Sequence, residues 1–326
     1  MFPYQISIVI PAYNEAESLP ELCRWIEQVM QKNQFSYEII IIDDGSSDDT
    51  WQAIGQIAQK NALIKGVAFN RNYGKSAALH TGFQRASGEV IVTMDADLQD
   101  DPEEIPELYR MIKEENYDLV SGWKQKRKDP LSKTIPTKLY NAVTRWFSGI
   151  PLHDFNCGLK AYKNRVVKSI EVYGEMHRYI PVIAKSAGFK KIGEKKVKHH
   201  PRKYGTTKFG LERFLFGFLD LLSITFVTKF RKRPMHFFGG FGVLSFLIGF
   251  LITIFVIAEK IISIYQKTSY RNITEQPLFY LALVAMIVGV QLFTAGFIGE
   301  MIITNSSKTQ EYVISQSVGF EEEKSS

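Results

Sequence analysis

The chain is poor in cysteine. Its 326 residues include two, Cys23 and Cys157, too few for a disulfide framework or a zinc cluster. A reducing compartment suits them. The N-terminus "MFPYQISIVI" lacks a basic leader and a cleavage motif, so no secretory signal peptide is expected. No internal repeat or low-complexity tract is evident. No G-x-G-x-x-G follows the first apolar run, which argues against a dinucleotide fold. "YGKSA" contains Gly-Lys-Ser, but a Walker loop would need glycine where Phe69 stands. His199 and His200 are neighbours in an extended segment and point apart, so a histidine metal site is not expected.

Two stretches lack charge altogether. Met235 to Ala258 and Leu278 to Gly299 hold no Asp, Glu, Lys or Arg. Each exceeds the roughly 20 residues needed to cross a bilayer core. Two membrane helices are expected within 235–303, with 259–277 as a short outer loop. Lys229, Arg231, Lys232 and Arg233 precede the first run and should stay cytoplasmic. Two spans then return residues 304–326 to that side as a tail. The expected location is the plasma (inner) membrane, multi-pass, with both termini cytoplasmic.

Residues 1–234 carry the basic excess, 35 Lys/Arg against 27 Asp/Glu. That balance suggests an anionic partner: nucleotide phosphate, lipid headgroup or nucleic acid. No stacking-aromatic or recognition-helix pattern accompanies it, so nucleic acid is not expected. "SKTIPTKLYNAVTRWFSGIPL" and "TKFGLERFLFGFLDLLSITFVTKF" mix apolar and basic residues. They fit interfacial helices near 132–148 and 209–234, packing against the soluble domain being the alternative.

Within residues 1–208, short apolar runs alternate with helical patterns. "QISIVIPAY", "YEIIIID", "LIKGVAF", "GEVIVTM" and "YDLVSGW" read as strands. "EAESLPELCRWIEQVMQK" has helical spacing through Leu19, Leu22, Ile26 and Val29. This alternation predicts an α/β domain with a mostly parallel sheet. Ligands bind beyond the carboxyl ends of such strands. Asn14 and Glu15, Asp43 and Asp44, Arg71 and Asn72, and Asp95 and Asp97 fall at those ends.

Carboxylates crowd "TMDADLQDD". Asp95 and Asp97 have one residue between them at a strand tip, so in extended backbone they share a face. Two carboxylates without histidine or cysteine suit a hard cation, Mg²⁺ or Mn²⁺, held jointly with substrate phosphates. Asp100 and Asp101 precede Pro102 and read better as helix caps.

"SIVIPAYNEAESL", "IIIDDGSSDDT", "NRNYGKSAALHTGFQRASGEVIVTMDADLQDDPEEI" and "DFNCGLKAY" together resemble glycosyltransferase family 2. Within it they are most similar to polyprenyl-phosphate glycosyltransferases, the bactoprenol glucosyltransferases and dolichyl-phosphate mannose synthase. The resemblance spans roughly residues 5–210. It implies a GT-A type fold, a nucleotide-diphosphate sugar donor and inversion. It implies a nucleotide pocket lined by Pro11, Ala12, Tyr13 and Glu15, with Asp43 and Asp44 at the base or ribose. It puts Lys75 near the phosphates, Asp95 and Asp97 on metal and diphosphate, and Gln99 near the sugar. It sets Asp154 facing sugar and acceptor, as a base, a sugar-orienting group or a metal helper. The pattern R-x-x-G-x-[ST]-K matches at Arg202, Gly205, Thr207 and Lys208.

Two dianions must meet in such a reaction, so cations should be plentiful. Arg178, Arg202 and Lys208 are the candidates for the acceptor phosphate, and "KQKRKDP" (124–130) reads as a basic loop near the site. A polyprenyl phosphate is largely dianionic at neutral pH, its second pKa being about 6. It can attack without a base. The expectation is inverting transfer of one hexose, glucose from UDP-glucose, to a polyprenyl phosphate such as undecaprenyl phosphate at the cytoplasmic face. A GDP-mannose-using transferase, a processive polysaccharide synthase and a noncatalytic nucleotide- or lipid-binding scaffold are the alternatives. The synthase motif Q-x-x-R-W is absent, since Glu21 and Ala142 stand four residues before Trp25 and Trp146. Gly239, Gly240, Gly242 and Gly249 permit helix association, which would suit a homo-oligomer.

Overall fold

The computed structural model describes residues 2–125, 131–204, 234–267, 272–305 and 314–320. The chain forms two compact units, residues 1–224 with 311–326, and residues 225–310.

The first unit is built on one eight-stranded sheet. β1 (Tyr4–Ala12), α1 (Leu19–Lys32), β2 (Tyr37–Asp43), α2 (Thr50–Lys60), β3 (Ile64–Phe69), α3 (Lys75–Arg85) and β4 (Gly88–Thr93) follow in strict alternation. Then come α4 (Ile105–Lys113), β5 (Leu119–Trp123), α5 (Leu131–Ser148), β6 (Lys160–Lys163), α6 (Asn164–Lys168), α7 (Ile180–Ser186) and β7 (Ile192–Lys196). The order across the sheet is β7-β5-β6-β4-β1-β2-β3-β8, where β8 is Ile314–Val318. Only β6 and β8 run against the rest. This is the expected mostly parallel sheet of a GT-A type fold.

The central strands are buried on both faces, as helix-covered parallel strands must be. All seven residues of β2 are buried. Ile6, Ile8 and Ile10 pack with Leu19, Leu22 and Ile26 of α1 on one face, while Val9, Ile40 and Ile42 meet Ala78, Leu79 and Phe83 of α3 on the other. The chain moves outward from β1 to β2 and β3, then crosses back to lay β4 on the opposite side of β1. That reversal opens a crevice at the carboxyl ends of β1 and β4.

β8 is an addition that the sequence did not announce. The C-terminal segment, expected only as a tail, pairs antiparallel with β3, Gly66 opposite Val318 and Phe69 opposite Ile314.

The second unit is a hairpin of two helices, α8 (Pro234–Tyr265) and α9 (Pro277–Asn305). Both are long and apolar enough to cross a membrane. They pack through glycine. A Cβ on Gly242 would sit 2.7 Å from the Gly289 carbonyl, and one on Gly249 would sit 2.5 Å from that of Ala282. The association these glycines permit is therefore used within one chain. The expected helix near 209–234 and the basic cluster 229–233 lie outside the described residues, apart from Pro234.

Candidate active site

Three loops converge on the β1/β4 crevice. After β1 the chain turns through Asn14, whose backbone is left-handed at φ 56°. Its side chain accepts from the Ser47 N–H at 2.8 Å, and its own N–H donates to Ser46 Oγ at 2.9 Å. These bonds tie the turn after β1 to the turn after β2. Pro11 lines the crevice. Ala12 is buried, and its carbonyl accepts from the Asp44 N–H at 2.8 Å. Tyr13 is exposed. Glu15 accepts from Ser18 Oγ at 2.8 Å and from Arg202 Nη2 at 3.1 Å.

β2 delivers Asp43 and Asp44, both buried. Asp43 closes its own turn by accepting from the Ser46 N–H at 2.9 Å. Burial pushes its pKa up. Asp44 accepts from the Tyr73 N–H at 2.7 Å and the Gly74 N–H at 2.9 Å, which fixes the turn into α3. Burial outweighs those bonds and lifts Asp44 to about 6. Gly45, at φ 68°, lies between the loops after β2 and β3; a Cβ there would be 2.3 Å from the Arg71 carbonyl carbon. Both conformation and space demand glycine.

β4 ends in the carboxylates. Lys75, the first residue of α3, pairs with Asp95. Leu98 is left-handed at φ 60°, costly for a leucine. It turns the chain so that the Gln99 N–H donates to Asp97 Oδ1 at 3.2 Å. Burial raises the Asp95 pKa, but Lys75, Lys124 and Lys160 together outweigh it and bring it to about 2. Asp97 goes the other way. Burial, then repulsion from Asp95 and Asp100, lifts it to about 6. A cation at Asp97 would relieve that repulsion, so the pair fits a divalent ion.

The neighbouring acids have other work. Asp101 caps the turn at Pro102 by accepting from the Glu103 N–H at 2.9 Å. Asp100 is not a cap; it is buried and pairs with Lys124 at 2.8 Å. Lys124 is thus an internal counter-ion rather than part of an open basic loop; residues 126–130 lie outside the described residues. His199 and His200 dock separately, Nδ1 of one 3.1 Å from the Gln99 carbonyl and Nε2 of the other 3.1 Å from Asp101 Oδ2. Among the described residues no group of three or more His, Cys, Asp or Glu gathers as metal ligands. Substrate oxygens would have to complete any shell around Asp95 and Asp97.

The far wall is the loop 155–158 with Lys160, His177 and Arg178. Gly158 lies so near Asp95 that a Cβ would be 2.6 Å from its carboxylate. Asp154 is buried; its Oδ1 accepts from the Asn156 N–H at 3.0 Å, and its own N–H donates to Glu194 at 3.0 Å. It shapes this loop, and its neighbours rather than Asp154 itself line the crevice. Lys208 lies outside the described residues. Sequence reasoning missed Lys160. The available signal was a lysine set between the apolar neighbours Leu159 and Ala161.

The glycosyl transferase family 2 profile matches residues 7–170. The chain belongs to glycosyl transferase family 2. Among its relatives, the dodecaprenyl-phosphate galacturonate synthase of Rhizobium johnstonii is 34% identical over 91% of this chain and 87% of its own. The undecaprenyl-phosphate 4-deoxy-4-formamido-L-arabinose transferase of Klebsiella pneumoniae is 31% identical over 91% of this chain and 88% of its own. The fold is also that of glucosyl-3-phosphoglycerate synthase from Mycobacterium tuberculosis, solved with Mn²⁺, UDP-glucose and phosphoglyceric acid. That structure has TM-score 0.53 and 18% identity, with 69% of this chain and 80% of that one covered. The chain is therefore a glycosyltransferase by family.

Proposed function

We propose that this transferase moves one sugar, with inversion, from a UDP-sugar to the phosphate of a polyprenyl lipid at the cytoplasmic face of the plasma membrane. The observation that carries the reading is the crevice itself, which sets Asp95 among Lys75, Lys160 and Arg178 in a chain bearing two membrane-length helices. Relatives named for dodecaprenyl- and undecaprenyl-phosphate substrates support the acceptor class.

Mg²⁺ or Mn²⁺, held by Asp97 with Asp95, supplies charge neutralisation to the leaving diphosphate when bound. Asp43, Asp44 and the Pro11–Glu15 turn fix the nucleotide end. Lys75 orients Asp95. Arg202, paired with Glu15 at 3.1 Å, and Lys208 receive the acceptor phosphate, for which bidentate arginine is well suited. The lipid phosphate is already ionised and attacks without a base. Asp154 holds the sugar-side loop in place.

Membrane placement is supported twice. Trp146 and Phe147 of α5 are 78% and 46% exposed beside Arg145, as an interfacial helix requires. β8 joins the sheet after α9, which supports a hairpin with both ends on the catalytic side. UDP-glucose is the donor favoured by sequence only because the two terminal spans suit the bactoprenol glucosyltransferase branch.

The test uses purified protein, undecaprenyl phosphate, Mn²⁺ or Mg²⁺ and labelled UDP-glucose, UDP-uronates, UDP-formamidoarabinose and GDP-mannose. Label should enter organic solvent from a UDP-sugar and be lost with chelator. Asp97→Asn should lower it by about 10²–10³-fold. No lipid label from any donor, with folded protein, would overturn the acceptor.

A further inference from the structure

Three lysines converge on the carboxylates of the crevice. Lys75 is neutralised by Asp95 and Lys124 by Asp100. Lys160 has no such close partner. It is 3% exposed, its Nζ donates to the Cys157 carbonyl, and among the described residues no carboxylate ion-pairs with it; Asp154 and Asp95 act on it only from beyond ion-pair distance. A buried cation without a close counter-ion is costly. Burial accordingly holds its pKa below the usual lysine value.

Two further donors face the same space. Arg178 has a side chain only 11% exposed; Nη2 reaches Glu175 at 3.2 Å, but its buried Nε has no hydrogen-bond partner among the described residues. The His177 N–H donates to Ser76 Oγ at 2.9 Å, and Oγ lies 3.1 Å from His177 Nδ1. With the Ser76 hydroxyl donating to Nδ1, the ring proton sits on Nε2. Burial, with Lys75 and Arg178 nearby, keeps the ring neutral. On the same wall Asn156 Oδ1 is buried and has no donor among the described residues.

The chemistry is specific. Lys160, Arg178 and His177 offer N–H groups to an anion, while Asn156 offers an acceptor to a hydroxyl. A bare phosphate would satisfy the first set and leave Asn156 Oδ1, as oriented here, without a donor. A sugar that carries both an acid and hydroxyls satisfies all of them. Resting on the nucleotide-sugar reading above, we propose that Lys160, His177 and Arg178 form a subsite for an acidic group on the transferred sugar, with Asn156 accepting from a ring hydroxyl. The donor class is a nucleotide-linked uronic acid. Arg178 then serves the donor sugar rather than the acceptor phosphate.

Calorimetric titration of the full-length protein with UDP-glucose, UDP-glucuronate and UDP-galacturonate, in Mn²⁺ and without lipid, tests this. At least one uronate should bind about 10- to 100-fold tighter than UDP-glucose, the range for a charge-assisted hydrogen bond. Lys160→Met should collapse that ratio towards one. If Lys160→Met does not fold, Arg178→Gln should narrow the ratio, and the wild-type ratio is itself decisive. Equal binding of neutral and acidic donors overturns the subsite. So does a Lys160→Met variant that keeps the ratio and raises KM for undecaprenyl phosphate. Lipid labelling from UDP-glucose alone would overturn the subsite and leave the transferase reading standing.

Discussion

Asp95 and Asp97 are two residues apart and have opposite electrostatic surroundings. Asp95 at about 2 is ionised throughout the useful pH range, while Asp97 at about 6 is not. A carboxyl raised in the folded state above its usual value of about 3.9 stabilises the fold fully below that value, and the benefit is lost as pH rises through about 6. Ionised Asp97 in the metal-free protein is then a strain that a divalent ion removes. Proton and metal compete for it. Mn²⁺ affinity should fall about tenfold per pH unit below pH 6 and level off above pH 7. Titration calorimetry from pH 5 to 8 reads this directly. Affinity independent of pH between 5 and 7 would take Asp97 out of the metal site.

At the scale of elements, β8 is the strand to remove. It covers the edge of β3; Val318 packs on the core below, and Phe320 lies under Lys65 at 5.4 Å and Arg85 at 4.7 Å. Deleting residues 311–326 should destabilise the first unit by about 2–4 kcal/mol, from a few net ladder bonds and two apolar side chains. The bared edge should also promote aggregation. Urea melts of both proteins would show it, and coincident melts would mean that β8 adds nothing. The same strand marks where the sequence stops being readable. β1 to β5 are legible because unbroken apolar runs such as "YEIIIID" leave little choice. "KAYK", "IGEKK" and "ISQSV" are short, polar and placed by partners far along the chain, so β6, β7 and β8 were not. The site divides likewise. Asp43, Asp95, Asp97 and Asp154 stand in motifs, whereas Lys124 matters through its counter-ion Asp100 and Lys160 through its burial, which only folding assigns.

At the scale of the whole molecule, the two units differ in what holds them. The first buries isoleucine and valine on both faces of a sheet, while the second joins two apolar helices through glycine contacts and leaves large hydrophobic side chains such as Leu251 and Ile264 exposed. Helices of this kind suit lipid rather than water. If both cross a bilayer, the turn between them and the strand after them must lie on opposite sides. Single cysteines at Lys267, in the turn, and Ser317, in β8, would distinguish the sides. The native Cys23 and Cys157 are buried and pushed up to about 12, so they contribute little background labelling. In intact cells a membrane-impermeant maleimide should label Lys267→Cys and spare Ser317→Cys until the cells are opened. Labelling of both in intact cells would put the catalytic sheet outside, away from any cytoplasmic nucleotide sugar. Labelling of neither until lysis would mean that the hairpin enters the bilayer without crossing it.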